Sequence, residues 1–529
     1  MGRLATARVA VPGAVLLALV LVLAVAVLTR PGPARVAVAG SQSATVTSIA
    51  RSCPPAAPGS VTSQISMVAL PAASSAKAAS AQPAAQAVGA ATFSGVTAAS
   101  PAATAGNASP AGTAGSKASA SPSPSATAGS KSAAKTQGTA KSMQPVTVTA
   151  PGTVATVTAT DGDGAAVSAT GQMAEGFEAE QTDSSGAGVV SCTHPGSDMW
   201  FVGTGQADGA SQVWLYLMNT GNITASADIT IVTDTGQQNG LTSAITVAPS
   251  QFVSVNVTPY VRGSQAIALH VQAGTGQVAA SVWEGGSGGG AWLPQANAPA
   301  KNLVIPGLTV ASSAAKLFVV VPGSSDAVVK VVAYTPAGAA TQFPGAPLDA
   351  TAGATTPAAL NSLGASAAGL KLTSTMPIVA GVLVPGEGIG SFTTAVSPVT
   401  EQGVIAGNPA ARGVTIGLLL TAPAGAARAR ISLISADGTV ATPPGDESVT
   451  VTAGHTLAVP VTRPADADGK PFAIVITPQP GSGPLYAARV VTSGTGGLSA
   501  PLSSLLPVSS AMTSITLPPA QNSYYAVLP

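Results

Sequence analysis

Charged and aromatic side chains are scarce in this chain of 529 residues. Asp, Glu, Lys and Arg make up 8% of the sequence, against about a quarter of an average soluble protein. Aromatic residues make up 3%, and only three histidines are present. Few groups are therefore available for acid–base chemistry, and the chain carries no recognisable catalytic motif. The sequence predicts a protein that is not an enzyme and that uses no cofactor.

Acidic residues are missing from the N-terminal part of the chain. All 20 of them lie at or after Asp161, whereas ten of the 21 basic residues precede it. These basic residues are spread thinly, so we interpret them as solvating side chains of a flexible segment. The alternative is contact with anionic lipid or an acidic wall polymer. Because the basic residues form no cluster, we expect no binding to nucleic acid.

One long apolar run stands out, from Val9 to Leu28, with arginines on both sides. At ~1.5 Å per residue, a helix of about twenty residues spans the ~30 Å hydrocarbon core of a bilayer. The small residues 37–39 lie too far beyond the run for a typical signal-peptide cleavage site. We predict a cytoplasmic tail over residues 1–8 and a single-pass signal-anchor over residues 9–29, with the bulk of the chain extracytoplasmic. The alternative is secretion after cleavage.

Cysteine is limited to Cys53 and Cys192. An even number in an exported chain predicts a disulfide. Closing so long a loop would stabilise the fold by about 4–5 kcal/mol in the chain-entropy model. The rival is a metal pair of Cys192 with His194, but zinc needs more ligands than these two residues supply. The sequence therefore predicts a Cys53–Cys192 disulfide and no metal site.

Large apolar residues are nearly missing from residues 71–144, a stretch of Ala, Ser, Thr, Gly, Pro and Lys in which Phe93 stands out. Such a composition buries too little surface to offset the entropy lost on ordering. We predict a disordered, low-complexity tract here. Residues 30–70, before it, form an extracytoplasmic segment with short strand-like patches.

From residue 145 onward, apolar and polar residues alternate in short runs separated by Gly, Pro, Asn and Asp. This pattern is typical of strands and turns, and no stretch shows a sustained helical period. Similar runs recur about 100 residues apart, with about six strands in each unit, which suits a β-sandwich better than a propeller blade of about 40–50 residues. We predict an all-β fold of tandem β-sandwich-like repeats, with a β-propeller-like closed repeat array as the alternative.

The predicted units are a partial β unit at 145–198, β repeats at 199–300, 301–396 and 397–496, and a C-terminal closing strand segment at 497–529. The chain begins and ends partway through a unit. Pairing of Tyr524 to Leu528 with the segment near Met173 would therefore indicate a closed architecture.

Two groups of side chains invite a functional interpretation. Glu175, Glu178 and Glu180 lie close together, but their Gly-flanked position favours an exposed acidic face over a glycosidase pair. Trp283 and Trp292 flank a Gly-rich loop, where exposure is easier than for Trp214 inside its apolar strand. A core role is still the favoured interpretation of both, and a glycan contact by stacking on sugar rings is the alternative. The three histidines are interpreted as structural or solvent-facing.

The apolar anchor, the sequence Ser52-Cys53-Pro54, the Ala/Ser-rich tract and the repeats through to Pro529 together resemble an actinobacterial envelope family that carries a domain of unknown function. The resemblance implies a membrane-anchored or secreted protein with no assigned activity. We therefore expect a non-enzymatic, membrane-anchored envelope protein with a binding or scaffold role toward an envelope protein or a wall polymer. The alternatives are a cell-wall glycan-binding module and, less favoured, an envelope hydrolase.

Overall fold

The structure is a computed structural model, and its described part comprises residues 42–60, 62–71, 89–99, 146–160, 162–183, 188–238, 244–286, 288–309, 315–340, 347–360, 367–386, 388–443, 445–465, 467, 469–494, 497–499 and 502–517. The predicted cytoplasmic tail, the signal-anchor over residues 9–29 and the segment Tyr524 to Leu528 lie outside these ranges. Within them, no helix has the length and apolarity needed to cross a bilayer.

The described residues form four consecutive groups of strands, with one strand before and one after them. Strand β1 (Gln42–Thr45) comes first. The N-terminal module comprises β2 (Ser48–Cys53), β3 (Thr62–Val68), β4 (Ala91–Ala98), β5 (Val146–Val148), β6 (Val154–Thr160), β7 (Gly164–Thr170), β8 (Glu178–Asp183) and β9 (Val189–Ser191). Module 1 comprises β10 (Asp198–Thr204), β11 (Gln212–Asn219), β12 (Ala225–Thr233), β13 (Gly236–Gln238), β14 (Ile245–Val247), β15 (Gln251–Asn256), β16 (Ala266–Thr275), β17 (Ala279–Gly286) and β18 (Gly289–Leu293).

Two further modules come next along the chain. Module 2 comprises β19 (Ala300–Thr309), β20 (Lys316–Val320), β21 (Ala327–Thr335), β22 (Gly338–Ala340), β23 (Leu348–Ala350), β24 (Thr355–Ala359), β25 (Ala367–Val384) and β26 (Ser391–Thr394). Module 3 comprises β27 (Gly403–Asn408), β28 (Val414–Ala422), β29 (Ala427–Ile434), β30 (Val440–Ala441), β31 (Val449–Val451), β32 (His455–Val461), β33 (Phe472–Pro478), β34 (Tyr486–Ser493) and β35 (Leu502–Val508), and strand β36 (Ser514–Leu517) comes last.

Helical structure in the described residues is limited to short 3-10 turns, so the predicted all-β class is confirmed. The turns are Gly171–Ala174, Gln206–Asp208, Thr258–Tyr260, Asp446–Ser448 and Gly497–Ser499. The chain divides into two compact units. In the smaller one, β1 and β36 pair antiparallel, with Gln42 opposite Leu517. The larger unit, Val46–Thr513, contains all four modules.

Modules 1, 2 and 3 repeat one pattern of strand pairing. In the first sheet of each module the order is β10-β16-β12-β13, β19-β25-β21-β22 and β27-β33-β29-β30. In the second sheet it is β18-β17-β11-β15, β26-β25-β20-β24 and β35-β34-β28-β32. The long strand β25 takes part in both sheets of module 2, where modules 1 and 3 use two strands each. The predicted residue bounds of the repeats stay predictions.

Each of these modules has one core between its two sheets. The alternation in strands such as β12, where Ile229 and Ile231 are buried and Asp228 is exposed, turns every second side chain inward. Leu215 of the second sheet belongs to the same apolar cluster as Ile231 of the first. Corresponding clusters fill modules 2 and 3. The alternation visible in the sequence therefore becomes the packing of one sheet on the other.

The N-terminal module corrects one prediction. Residues 91–98, inside the tract predicted to be disordered, form strand β4, which pairs antiparallel with β7. Phe93 is fully buried there. The end of β4 also pairs in parallel with β15, so the sheet continues into module 1. One large aromatic side chain among small residues is enough to hold this segment as a strand, because a neighbouring sheet supplies the rest of the core.

The four modules contact one another in a closed cycle. Each junction is an apolar cluster with members from both neighbours. The clusters join Val190 to Met218 and Trp292, Leu269 to Phe318 and Phe392, Leu370 to Leu419 and Leu505, and Val68 to Val404 and Ala406. The last of these junctions brings module 3 back to the N-terminal module.

Candidate functional site

A cavity of about 230 Å³ lies where all four modules meet. The N-terminal module contributes Arg51, Glu178, Glu180 and residues 189–194 to its lining. The other modules contribute the groups Trp292 with 294–297, Phe392 with Val396, and residues 404–406 with 505–510. Closure of the cycle therefore creates this cavity, and no single module contains it.

A buried charged group forms the polar side of the cavity. The side chain of Arg51 is 2% exposed and that of Glu178 is 16% exposed, and the two form an ion pair. Nη2 of Arg51 also donates to the carbonyl oxygen of Phe177 at 3.2 Å. Nη1 of Arg51 donates to Nδ1 of His194. One guanidinium thus holds a carboxylate, a backbone carbonyl and an imidazole in place.

His194 is fixed as a neutral imidazole. A guanidinium can only donate hydrogen bonds, so Nδ1 of His194 is the acceptor and the ring proton lies on Nε2. Burial, together with the positive charge of Arg51, lowers the pKa of His194 to about 3. The ring therefore carries no charge in a neutral medium.

A second buried ion pair closes the cycle between the N-terminal module and module 3. Oε1 of Glu180 lies 2.6 Å from Nη1 of Arg489, and both side chains are almost completely buried. The amide of Gly407 donates to Oε2 of Glu180 at 3.1 Å, and its carbonyl accepts from Arg489 at 3.0 Å. Burial raises the pKa of Glu180, and the charge of Arg489 opposes this effect.

The predicted exposed acidic face is therefore wrong for Glu178 and Glu180. The two residues have the same parity in β8, so they point to one face of the strand, and that face is covered. Their partners, Arg51 and Arg489, lie far away along the chain. The available signal was the spacing of two residues between the glutamates, which places both on one face of a strand.

The predicted disulfide is confirmed, since Cys53 and Cys192 are bonded. Next to it, the backbones of Ser52 and Thr193 exchange two hydrogen bonds, of 2.8 and 2.9 Å. Arg51 and His194 each lie two residues from a half-cystine, so the disulfide and this short ladder hold them together. Because Cys192 is oxidised, the rival metal pair of Cys192 with His194 is excluded. The described residues also include no cluster of three or more His, Cys, Asp or Glu that could hold a metal ion.

Trp283 and Trp292 lie opposite each other on β17 and β18. They are only 7% and 4% exposed, in agreement with the favoured core role. The ring of Trp292 packs against Tyr216, with centroids 5.7 Å apart, at the junction of module 1 with the N-terminal module. The flanking glycines do not leave the two indoles exposed to solvent, because side chains of the N-terminal module pack over them. A glycan contact by these residues stays a prediction.

The cavity lining includes buried hydrogen-bond donors that have no partner within the described part of the chain. They are Nε1 of Trp292, Nε of Arg51 and the hydroxyl of Thr193. A buried donor left without a partner costs about 1–3 kcal/mol, and more where the group is charged. Such donors are normally satisfied by water or by a ligand. These three atoms have almost no accessible surface, so they are unpaired donors of lining residues and do not face the cavity.

The other histidines lie apart from this site. His270 stacks on Trp200 with ring centroids 3.9 Å apart, and its Nε2 is 2.9 Å from Oδ1 of Asp198. Nδ1 of His455 lies 2.8 Å from the carbonyl oxygen of Ala453. Each has a structural partner, and neither lines the cavity.

One further buried acid, Glu284 in module 1, was not indicated by any pattern in the sequence. Its Oε2 accepts hydrogen bonds from the hydroxyl of Thr204 at 2.9 Å and from the amide of Thr204 at 3.2 Å. Gly203 makes room for the carboxyl group, since a Cβ there would lie 2.2 Å from Oε1. Burial raises the pKa of Glu284 to about 8. The group therefore favours its neutral form over most of the physiological range.

Comparisons with known proteins bear on family membership alone. No curated protein matches the chain. A solved structure of Streptomyces avermitilis α-L-rhamnosidase complexed with L-rhamnose is 10% identical, with a TM-score of 0.09 over 60% of this chain and 49% of that one. So low a score supports no statement about fold or activity. The model of a family of unknown function, DUF5719, matches residues 146–462. Because this match covers more than half of the sequence, the chain belongs to the DUF5719 family.

Proposed function

We propose that the protein is a non-enzymatic, membrane-anchored protein of the cell envelope, with its β-modules outside the cytoplasm and with a binding or scaffold role. The observation that supports this most directly is the Cys53–Cys192 disulfide. Disulfides persist in oxidising compartments and are rare in the cytosol. The apolar run from Val9 to Leu28 supplies the proposed anchor.

We propose further that modules 1 to 3 are sandwich-like repeats in a closed array. In each module two sheets pack around one apolar core, and this arrangement supports the β-sandwich-like interpretation. The described strands number nine, eight and nine per module, which exceeds the four of a propeller blade. The cycle of contacts is a feature that the propeller-like alternative shares. A scaffold of this kind presents a rigid surface, because each module is held by two neighbours.

Cell fractionation tests the proposed location. We expect the chain to sediment with membranes and the Leu19→Arg/Leu21→Arg variant to lose this association, because a central arginine disfavours insertion by about 2.5–3.5 kcal/mol. Leu19→Ala/Leu21→Ala is the matched control and should remain in membranes. A maleimide reagent applied without a reductant should label neither Cys53 nor Cys192. Recovery of the unaltered chain in the soluble cell interior, with both thiols free, would overturn the proposal.

The alternative of a cell-wall glycan-binding module rests on Trp283 and Trp292. Their burial weighs against it, because stacking needs an indole face that a sugar can reach. Retention on purified cell wall tests this alternative. Loss of retention in Trp283→Ala and Trp292→Ala variants that keep their fold would favour it, and unchanged retention would remove it.

The remaining alternative, an envelope hydrolase, needs two carboxyl groups in one cleft. The cavity does bring Glu178 and Glu180 together, but each forms an ion pair with an arginine. A glycosidase also needs one of its carboxyl groups to donate a proton to the leaving group. Incubation with wall polymer should release no reducing ends. Release that disappears in Glu178→Gln would favour the hydrolase instead.

A further inference from the structure

We propose that a pocket of module 3, lined by Arg412 and Arg463, binds the phosphate group of a small phosphate monoester such as glycerol phosphate. The proposal rests on the binding role proposed above and gives that role a site and a class of ligand. The pocket is separate from the cavity where the four modules meet, because the two share no lining residue.

The pocket lies at one end of the second sheet of module 3, where β28 begins and β32 ends. Arg412, Val414 and Ile416 line it on the side of β28, and Val461 and Arg463 line it on the side of β32. Ile416 lies opposite Val461 in the ladder between these strands, so paired strands form the floor. The volume is about 260 Å³. At ~30 Å³ per water molecule in the liquid, this space holds a phosphate group with a short carbon chain.

The two arginines give the pocket a positive charge that the protein leaves unbalanced. Both residues are exposed, and neither forms an ion pair within the described part of the chain. No acidic residue lines the pocket. The acidic residues that follow Arg463 in the sequence, Asp466 and Asp468, lie outside the described residues. Nη1 of Arg463 donates to the carbonyl oxygen of Ala410 at 2.8 Å, and its other N–H groups are open to a ligand.

The corresponding corner of module 1 has no such pair of charges. Matching the Ala-Ala sequence of β17 to that of β34 aligns Trp214 of β11 with Ile416 of β28. Thr258 then takes the place of Arg463, since each lies two residues beyond the cross-strand partner of the aligned residue. The hydroxyl of Thr258 accepts a hydrogen bond from the amide of Val213 at 2.9 Å and so closes the corner. The repeated fold therefore does not require an arginine at this place.

A phosphate monoester matches the charge and the shape of this pocket. A guanidinium donates parallel hydrogen bonds to two oxygens of a phosphate or carboxylate group. A phosphate monoester carries a charge of about −1.5 to −2 at neutral pH and offers three acceptor oxygens, so it can engage both arginines. A single carboxylate has half the charge and fewer oxygens. The buried side chains of Ile416 and Val461 offer an apolar surface to the carbon chain of the ligand.

Binding measurements on the full chain, in a nonionic detergent and a phosphate-free buffer, test the proposal. Isothermal titration and phosphorus NMR should show saturable binding of glycerol phosphate, and inorganic phosphate should compete with it. Acetate should bind at least about tenfold more weakly, because it carries a single charge and two oxygens. Glycerol, which has no charge, should show no measurable binding.

Variants locate the site. Arg412→Gln/Arg463→Gln should lower the affinity at least about tenfold, because it removes the charge-assisted hydrogen bonds. Arg428→Gln/Arg430→Gln is the matched control, since it removes two exposed arginines of the same module that do not line the pocket. Its affinity should stay within about twofold of that of the unaltered chain. Arg412→Gln alone changes one exposed residue and should still weaken binding at least about threefold if the double variant proves unstable.

The proposal fails if glycerol phosphate shows no saturable binding, or if acetate binds as tightly. It also fails if the control variant loses as much affinity as the pocket variant, because binding would then follow the net charge of the module and not this pocket. Membrane association is measured separately and does not depend on phosphate binding. Failure of the ligand proposal therefore leaves the fractionation test of the proposed location intact.

Discussion

Glu284 makes the stability of module 1 depend on pH in a direction opposite to that of a salt-bridged carboxylate. Burial raises its pKa from the usual 4.5 to about 8 in the folded protein, and no cation offsets the effect. The folded state therefore binds a proton that the unfolded state releases between these two values. The folded protein is therefore most stable, as far as Glu284 is concerned, when the carboxyl group is neutral. This contribution to stability is fully present below pH 4.5 and is lost as the pH rises through about 8.

The magnitude follows from the two pKa values. Each pH unit between them corresponds to about 1.4 kcal/mol, so full ionisation costs on the order of 5 kcal/mol. Glu284→Gln removes the titration and keeps the shape of the neutral side chain. We expect the free energy of unfolding of this variant, relative to the unaltered chain, to rise by several kcal/mol between pH 5 and pH 9.

Tryptophan fluorescence during urea unfolding is a suitable assay. All four tryptophans lie in module 1, in strands β10, β11, β17 and β18, so the signal reports on the module that contains Glu284. Asp228→Asn, at an exposed position of the same module, is the control and should leave the pH dependence unchanged. If Glu284→Gln and the unaltered chain keep the same difference in stability at both pH values, the reasoning is refuted.

Two further predictions concern the contacts that close the array. The double variant Cys53→Ser/Cys192→Ser should be less stable by about 5 kcal/mol in urea unfolding, because the disulfide joins residues 139 positions apart; unchanged stability would contradict this expectation. Arg489→Met should cost about 3–5 kcal/mol, since it leaves Glu180 buried without its partner. Adding Glu180→Leu should restore most of the lost stability, because no buried charge is then left unpaired. Fast hydrogen exchange at the Gly407 amide in the double variant would show that the contact between the modules stays open and would contradict this expectation.

The largely buried ion pairs of the described residues are concentrated around the cavity. Two of the ion pairs in the described part of the chain are largely buried around one cavity. Buried pairs are a poor source of net stability, but the loss of one partner is costly. They therefore specify which surfaces meet, and we interpret them as the contacts that fix how the N-terminal module sits against module 3.

The strand content could be predicted from the sequence because alternation is a local property. Side chains in a strand point to opposite faces in turn, so Ile229 and Ile231 indicate a buried face without any knowledge of what covers it. The disulfide was equally accessible, since a chain with two cysteines leaves only one possible pairing. Recurrence of similar runs about 100 residues apart also indicated repeated units.

The interior of the site could not be predicted in this way. Parity places Glu178 and Glu180 on one face, but it does not say whether that face meets water or another module. Burial of Trp283 and Trp292 depends on the N-terminal module, which reaches them only after the chain has folded back. The strand around Phe93 likewise needs β7 and β15 beside it.

The amino-acid sequence by itself determined the all-β class, the disulfide partners and the recurrence of strands, because each depends on local periodicity or on a count of residues. Only the tertiary structure decided which charges are buried, which indoles are covered and where the cavity lies. These properties arise from contacts between residues more than a hundred positions apart, such as Arg51 with Glu178 and Glu180 with Arg489. Packing between distant segments, and not local propensity, sets the solvent exposure and the charge partner of such side chains.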